Sequence, residues 1–471
     1  MTGSLEQQFP IDNESPLLNH KGRVHYRRAF AQLVANSGTG LFLLFLFIFP
    51  FQRGIFLREN LLDIQGLKPF NLFSAVVLAY LVFQSSLFRT TDKIEKRSIA
   101  IFLLYFTTFA IALIRSIPNA PLFHSRFPDV FPESYPDYIV SLCMVPAFYV
   151  LPFLFILKRT CSLQELEKIT TVICLSISLL SAALISIVLL NPSAVLSGNR
   201  DEMADLCATY FGVGYNTIGT IYICTAPLLL YKVLTRNALW IVPFGLSFVA
   251  ILCLQSRSGL VTVALSYCVF LILRRRFGIL ILGATAVGIT SFVWIGPTID
   301  ALFSIGFENS SDFSADDLLT GRVDFIWIPL LTEWTNDIDL FLFGAGRYGM
   351  MTSELWYTGA LIPATHAHNA IIDFFIDCGA ILTSVLIILL LVGVATAWRV
   401  GRRLNSDLYW ALFTCIFGFG IGMVTEREVF PSIDNMYVFP IIAMMINLAR
   451  LRHLGASPLI RRHTIASPPA T

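Results

Sequence analysis

The sequence predicts an all-helical protein that crosses a membrane about twelve times. Of its 471 residues, 56% are hydrophobic and only 14% are charged, with a mean hydropathy of +0.71. Soluble domains carry about 25% charged residues. Apolar runs near the spanning length of about 17 to 25 residues occur at 32–52, 70–88, 99–114, 137–157, 169–190, 214–231, 238–254, 258–273, 278–296, 370–398, 408–424 and 433–449. The third, seventh and eighth runs are short, so one helix more or fewer fits the pattern.

Basic residues orient these helices, because Lys and Arg favour the cytoplasmic side of a membrane. With the N-terminus inside, every inner segment is basic, and the mirror-image topology would reverse that bias. Both termini are therefore predicted to be cytoplasmic. The predicted divisions are a cytoplasmic tail, nine helices, a long outer loop, three helices and a second cytoplasmic tail, at residues 1–31, 32–296, 297–368, 369–450 and 451–471.

The sequence does not indicate a disulfide-linked protein or a nucleic-acid-binding protein. The nine cysteines lie nearly all in predicted helices and none forms a CxxC pair, so they are expected to be core residues. The net charge of +2 indicates no charged partner. Topology explains the basic runs better than nucleic-acid binding does.

Three arginines are predicted to lie on the outer side, where arginine should be rare because basic residues favour the cytoplasmic side. Arg257 sits in the short turn 255–259, Arg322 in the first turn of an amphipathic helix, and Arg200 beside Asp201 and Glu202. The simpler readings are a snorkelling Arg257 and a solvated Arg200. Charged groups held at a membrane surface otherwise indicate binding or chemistry.

The end of the outer loop carries further polar candidates. Gly344 and Gly346 form a GxG followed by Arg347, but no strand precedes them, so a tight turn is predicted rather than a dinucleotide site. His366, His368 and Asn369 open the tenth helix. Asp373 and Asp377 follow one turn apart and are expected to face a cavity or a partner.

Metal binding is disfavoured by the ligands available. A zinc site needs three or four ligands at workable spacing, and His124 is the only other histidine predicted outside. Asp337 and Asp339 form a DxD of the kind that binds divalent ions in some glycosyltransferases. A pair of solvated residues before an apolar run is the simpler explanation.

Five features, in order along the chain, resemble the O-antigen ligase and polymerase superfamily, whose bacterial inner-membrane enzymes act on glycans carried by undecaprenyl diphosphate. They are the loop 200–216, the S-R-x-G turn at 256–259, the G-R-x-x-x-W helix from Gly321 to Trp327, the L-x-G-x-G turn at 342–346, and His368-Asn369 with Gly379. Asp377 stands where the family more commonly has Glu.

The resemblance implies a fold, an activity and a site. The fold is the helical type, glycosyltransferase-C-like, used with lipid-linked donors, with short amphipathic helices in the periplasmic loop. Arg257 and Arg322, with Arg200 third, would bind the donor diphosphate, and His368 would be the general base at its ordinary pKa of about 6.5. Transfer would invert the anomeric centre and need no metal or cofactor. The supporting residues would be His366, Asn369, Asp377, Gly321, Gly344 and Gly346.

The acceptor stays open at this point. A ligase would use a lipid A core sugar, a polymerase the next lipid-linked repeat unit, and an oligosaccharyltransferase a protein hydroxyl, with the ligase slightly favoured. A twelve-helix transporter or flippase is the rival from another class. Transporters commonly show repeated halves and charged helices near the midplane, whereas these polar residues gather at one face.

Overall fold

A computed structural model of the chain describes residues 39–54, 57, 68–83, 93–128, 130–140, 145–159, 162–196, 200–235, 237–290, 322–358, 365–424 and 429–453. Its secondary structure there is helical. The helices are α1 (Thr39–Phe51), α2 (Pro69–Phe83), α3 (Lys93–Ser116), α4 (Ala120–Arg126), α5 (Tyr135–Ile139), α6 (Val145–Arg159), α7 (Leu163–Leu190), α8 (Ser193–Leu196), α9 (Arg200–Phe211), α10 (Tyr215–Thr235), α11 (Ile241–Cys253), α12 (Arg257–Leu273), α13 (Phe277–Thr290), α14 (Ile328–Asn336), α15 (Ile338–Phe343), α16 (Glu354–Thr358), α17 (Ala370–Leu404), α18 (Asp407–Gly422) and α19 (Val438–His453).

Within the described ranges, four helical stretches are long and apolar enough to cross a membrane. They are Ile94–Arg126, Leu163–Leu190, Tyr215–Thr235 and Ala370–Leu404, and seven shorter apolar helices accompany them. The all-helical prediction is confirmed in this part of the chain. The count of twelve stays a prediction. Residues 291–321, which include the end of the predicted ninth helix, lie outside the described residues.

The bundle has two ends, which we name from the helices that meet there. At the upper end α10 and α12 begin side by side. A hydrogen bond from Ser256 Oγ to Asn216 Oδ1, at 3.3 Å, joins their first turns. At the lower end α12 finishes beside the start of α18, where Arg274 pairs with Asp407. Helices α12 and α18 therefore run antiparallel, and α18 ends at the upper end.

Basic residues gather at the lower end. Glu95 near the start of α3 pairs there with Lys158 from the end of α6 and with Arg450 from α19. Arg402 lies in the last turn of α17 and Lys232 in the last turn of α10. The lower end is the one that the charge pattern predicts to be cytoplasmic.

Helix α10 forms the centre of the bundle. Its residues from Ile218 to Lys232 are all buried, and it packs against α7, α12 and α18. A helix that is apolar on every side must be enclosed by others to reach this burial. The neighbouring helices expose many apolar side chains, such as Leu175 and Leu179 of α7, as expected for surfaces that face lipid.

A cap of short helices, residues 322–358, lies over the upper end. Val323–Trp327 forms one wide π-helical turn that leads into α14, and Ile326, Leu330 and Trp334 are buried. Trp334 Nε1 donates to the carbonyl oxygen of Ile376 in α17, at 3.2 Å. The amphipathic helix predicted here, with Arg322 in its first turn, is confirmed.

Helix α17 is bent at Gly379, where φ is +75°. Its first turns pack under the cap, and its last turns contact α18, where Tyr409 donates to the carbonyl oxygen of Ala397 at 3.0 Å. Between these contacts, residues 390–396 are all exposed. Seven consecutive residues complete nearly two helical turns, so no face of this stretch is buried against the bundle.

Candidate functional site

The loop before α17 holds His368 in a defined position. Its backbone is left-handed, with φ of +55°, a conformation that few non-glycine residues adopt. The next residue, Asn369, caps α17 by accepting hydrogen bonds from the amides of Ile371 at 3.0 Å and Ile372 at 3.2 Å. Asn is a preferred N-cap because its side chain satisfies amides that the first helical turn leaves free. The loop is therefore fixed to the helix that follows it.

Asp373 holds the other side of this loop. Its Oδ1 accepts a hydrogen bond from the amide of Ala367 at 2.6 Å. Because Ala367 is next to His368, this contact and the Asn369 cap restrain the histidine backbone from both directions. Asp373 is thus a positioning residue for His368, a role that its place in the helix did not indicate.

The cap brings Arg322 to this histidine. Trp327 Nε1 donates to the carbonyl oxygen of Ala367 at 2.7 Å, which joins the helix that carries Arg322 to the loop that carries His368. The positive charge of Arg322 acts on the His368 ring. Two residues 46 positions apart, which the resemblance alone had linked, thus lie within electrostatic reach of each other.

Burial changes the acid–base character of His368. The pKa of His368 is lowered to about 3, first by burial of the ring and then by His366 and Arg322. The ring of His366 lies 4.3 Å from that of His368, measured between centroids. The prediction of an ordinary pKa near 6.5 is therefore wrong for this structure. His368 is neutral at pH 7 and can accept a proton or a hydrogen bond.

Arg257 begins α12 at the same end of the bundle. The side chain of Ser256 caps this helix by accepting from the amide of Gly259 at 3.3 Å. The His368 loop is tied to this end by a bond from the amide of Ala370 to the carbonyl oxygen of Met423, just past α18, at 2.9 Å. The backbone of Arg257 and the His368 loop thus both lie at the upper end.

Arg200 begins α9, also near the upper end. Gln255, two residues before Arg257, donates through Nε2 to the carbonyl oxygen of Ala194 at 3.1 Å. This bond places the short helix α8, which precedes α9, against the turn that carries Arg257. Gly321, the first residue of the predicted G-R motif, lies outside the described residues.

The predicted turn at Gly344 and Gly346 is confirmed, and it fits the bend in α17. Both glycines have left-handed φ, +71° and +93°, which glycine adopts without steric cost. The bend at Gly379 frees two helix carbonyls, and the amides of Ala345 and Gly346 donate to them, to Ile376 O and Asp377 O at 2.9 Å each. A Cβ on Gly344 would lie 2.5 Å from the amide nitrogen of Gly379, so a side chain cannot be accommodated there.

Arg347 and Asp377 lock the same turn with a buried ion pair. Arg347 Nη1 lies 2.8 Å from Asp377 Oδ2, and the two side chains are 7% and 3% exposed. The other carboxylate oxygen accepts from the amide of Gly349 at 2.9 Å. The backbone amide of Arg347 donates to the carbonyl oxygen of Ala112 in α3, at 2.8 Å. Turn, bent helix and α3 are thereby joined at one point.

The two acidic residues of α17 have different partners, Arg347 for Asp377 and the amide of Ala367 for Asp373. Both carboxylates have partners and line a cavity of about 10 Å³, which confirms the prediction that they face a cavity or a partner. Asp377 contacts Arg347 and the amide of Gly349, and its role in supporting the site stays a prediction. Arg347 was not among the predicted site residues, although a charged residue directly after a GxG turn was the signal that could have identified it.

The DxD sequence serves as a helix cap. Asp337 Oδ1 accepts from the amides of Asp339 at 2.9 Å and Leu340 at 3.1 Å, at the start of α15. Among the residues that the structure describes, no three His, Cys, Asp or Glu side chains are grouped so as to hold a metal ion.

The fold and this geometry define a class of protein, a helical membrane protein with a histidine and an arginine brought together under a cap at one end of its bundle. Residues 242–387 match the family model described as O-antigen ligase. The match confirms the resemblance predicted from the motifs and supports a transferase of the O-antigen ligase or polymerase type. The matched segment includes Arg257, Arg322 and His368. No curated protein matches the chain.

Proposed function

We propose that this protein transfers a glycan from undecaprenyl diphosphate to an acceptor hydroxyl on the periplasmic face of the bacterial inner membrane. The observation that carries the proposal is the hydrogen bond from Trp327 to Ala367, which joins the cap segment of Arg322 to the loop of His368. A lipid diphosphate leaving group needs cations, and an acceptor hydroxyl needs a base. We infer that the upper end supplies both.

Arginine is suited to the first task. Its planar guanidinium can make two parallel hydrogen bonds to phosphate oxygens. Arg322 and Arg257 would hold the diphosphate, with Arg200 as a third cation. Preorganised positive charge stabilises the departing diphosphate without a metal ion, and the proposal accordingly includes none.

His368 would perform the second task. The acceptor oxygen bonds to the anomeric carbon while the bond from that carbon to the diphosphate oxygen breaks. This single displacement inverts the anomeric centre. The imidazole takes the proton of the acceptor hydroxyl. A base with a pKa near 3 is weak, but the bound diphosphate would offset the charge of Arg322 and raise the pKa of His368. Donor binding would therefore prepare the base.

The proposed acceptor is the lipid A core, which makes the protein O-antigen ligase-like. A polymerase, which would pass the growing chain to the next lipid-linked repeat, shares the donor half of this site. The test is to incubate purified protein with labelled undecaprenyl-diphosphate glycan and each acceptor in the presence of EDTA. Transfer to lipid A core under these conditions is the expected result. Chain elongation alone would assign a polymerase, and restoration of lost activity by magnesium would contradict the metal-free mechanism.

Replacing Arg322 or Arg257 by Lys should lower donor affinity or transfer rate at least about tenfold, although the charge is kept. An ammonium cannot reproduce the two-pronged contact, and a hydrogen bond to a charged group contributes about 1.5 to 3 kcal/mol. The measurement is donor affinity and single-turnover rate for each variant. Arg53→Lys is the matched control, because Arg53 is exposed and its backbone lies against Gly212 at the upper end. Wild-type values in both Arg322→Lys and Arg257→Lys would place the diphosphate elsewhere.

A further inference from the structure

A second cavity opens at the lower end of the bundle, far from His368. It has a volume of about 700 Å³ and lies between α1, α7, the end of α10 and the turn before α11. Lys232, in its wall, follows Asn216 of the upper end by 16 residues of α10, about 24 Å along the helix. The transfer site does not account for this cleft.

One wall of the cleft is a preformed polar network. The ammonium of Lys232, whose side chain is 4% exposed, lies 2.8 Å from Glu167 Oε2 and donates to Thr171 Oγ1 at 3.0 Å. Tyr231 donates its hydroxyl to the same carboxylate. The negative charge of Glu167 is thus engaged from within the protein.

The rim adds a second cation. Lys168 lines the cleft and is exposed. With Lys168 and Lys232 set against Glu167, the lining carries a net positive charge. The network on one wall and the exposed ammonium on the rim together present an attractive potential to an anion.

Apart from Gln164, the remaining lining is apolar, and it continues onto the lipid-facing surface. Leu43, Val172 and Trp240 line the cleft. Leu175 and Leu179, one and two turns further along α7, are 47% and 46% exposed. Tryptophan is enriched at the boundary between lipid headgroups and hydrocarbon. An occupant must therefore match a cationic rim and an apolar track that leads into the bilayer.

We propose that this cleft binds an anionic phospholipid, with its phosphate at Lys168 and its acyl chains along Leu175 and Leu179. Basic pockets between membrane helices on the cytoplasmic side bind lipid headgroups of this kind. The charge pattern predicts that the lower end faces the cytoplasm, whose leaflet supplies such lipids. This inference is independent of the proposed transfer reaction.

The test is to titrate the full-length protein in detergent with dioctanoyl phosphatidylglycerol. Saturable binding is expected, and Lys168→Gln should weaken it about fivefold, the effect of one basic residue near an anionic lipid surface. Lys96→Gln is the matched control, because Lys96 is an exposed lysine near the start of α3, also at the lower end. Dioctanoyl phosphatidylcholine should bind more weakly than phosphatidylglycerol. Equal affinities of the Lys168→Gln and Lys96→Gln variants would overturn the proposal.

Two further measurements identify the source of the phosphate and its place. Soluble glycerol 3-phosphate should bind far more weakly than the lipid, and equal binding would show a site for a free phosphate compound instead. Phosphatidylglycerol with brominated chains should quench part of the tryptophan fluorescence, and Trp240→Phe should remove that part. Unchanged quenching in Trp240→Phe would place the lipid outside the cleft.

Discussion

Replacing His368 by alanine is expected to lower the rate of glycan transfer by about 10²- to 10⁴-fold, the usual contribution of a general base. The donor should still bind, because the diphosphate contacts are assigned to arginines. The side chain of His368 makes neither the N-cap of α17 nor the contact with Trp327, both of which use neighbouring groups. The variant should therefore fold normally. Single-turnover rates at saturating donor, with donor affinity measured separately, check this expectation.

His366→Ala is the matched control for this variant. The two rings are neighbours, but His366 Nδ1 is engaged with Thr365 Oγ1 at 3.0 Å, and no chemical step is assigned to it. It should retain most of the activity. Full activity in His368→Ala would remove His368 from the mechanism.

The pH profile gives a second readout of the same residue. The pH dependence of kcat/KM reports the free enzyme and that of kcat the bound complex. Burial, then His366 and Arg322, lower the pKa of His368 to about 3 in the empty site, and bound diphosphate should raise it by offsetting the charge of Arg322. Protonation removes the base, so the acid limb of kcat should lie at higher pH than that of kcat/KM. Coincident limbs would contradict the coupling between donor and base.

Breaking the buried pair between Arg347 and Asp377 is expected to have the largest effect on stability. Arg347→Ala should lower the free energy of unfolding by about 3 to 5 kcal/mol, because it leaves a buried carboxylate uncompensated. Asp377→Ala should have a similar cost, and it also removes the acceptor of the Gly349 amide. Titration with sodium dodecyl sulfate in mixed micelles, followed by tryptophan fluorescence, measures the change.

A double variant separates the charge from the packing. Arg347→Met combined with Asp377→Leu leaves no buried charge and should cost less than either single change. Arg274→Ala breaks the partly exposed pair with Asp407, with side chains 17% and 31% exposed, and should cost at most about 1 kcal/mol. A loss of only about 1 kcal/mol in Arg347→Ala would show that the buried pair of Arg347 and Asp377 contributes little to stability.

Hydropathy predicted where helices occur better than where they begin. The third apolar run was placed at 99–114, yet α3 starts at Lys93. The charged residues of its first turns end the apolar pattern, but Glu95 is buried between Lys158 and Arg450. Those partners come from distant parts of the chain, so a local hydropathy window cannot show that the charges are compensated and the helix continues.

The neighbourhood of Arg322 and His368 was predictable from the sequence, but the acid–base character of His368 was not. Motif order linked Arg322 with His368, and the structure brings them together through Trp327 and Ala367. The lowered pKa of His368 depends on how tightly the cap closes over the ring, which is a property of packing. Arg347 and Asp377 lie 30 residues apart, and nothing local to either position indicates that they pair.

The contacts that hold the turn at Gly344 and Gly346 limit where the chain can be divided. Arg347 is anchored by the carbonyl oxygen of Ala112, and the first turn of α17 by that of Met423. Both acceptors fall outside residues 242–387, the segment that carries the family signature. The unit recognised by sequence comparison is therefore not a unit of folding. An excised fragment with those boundaries would retain Arg257, Arg322 and His368 but lose Arg200 and these two backbone partners.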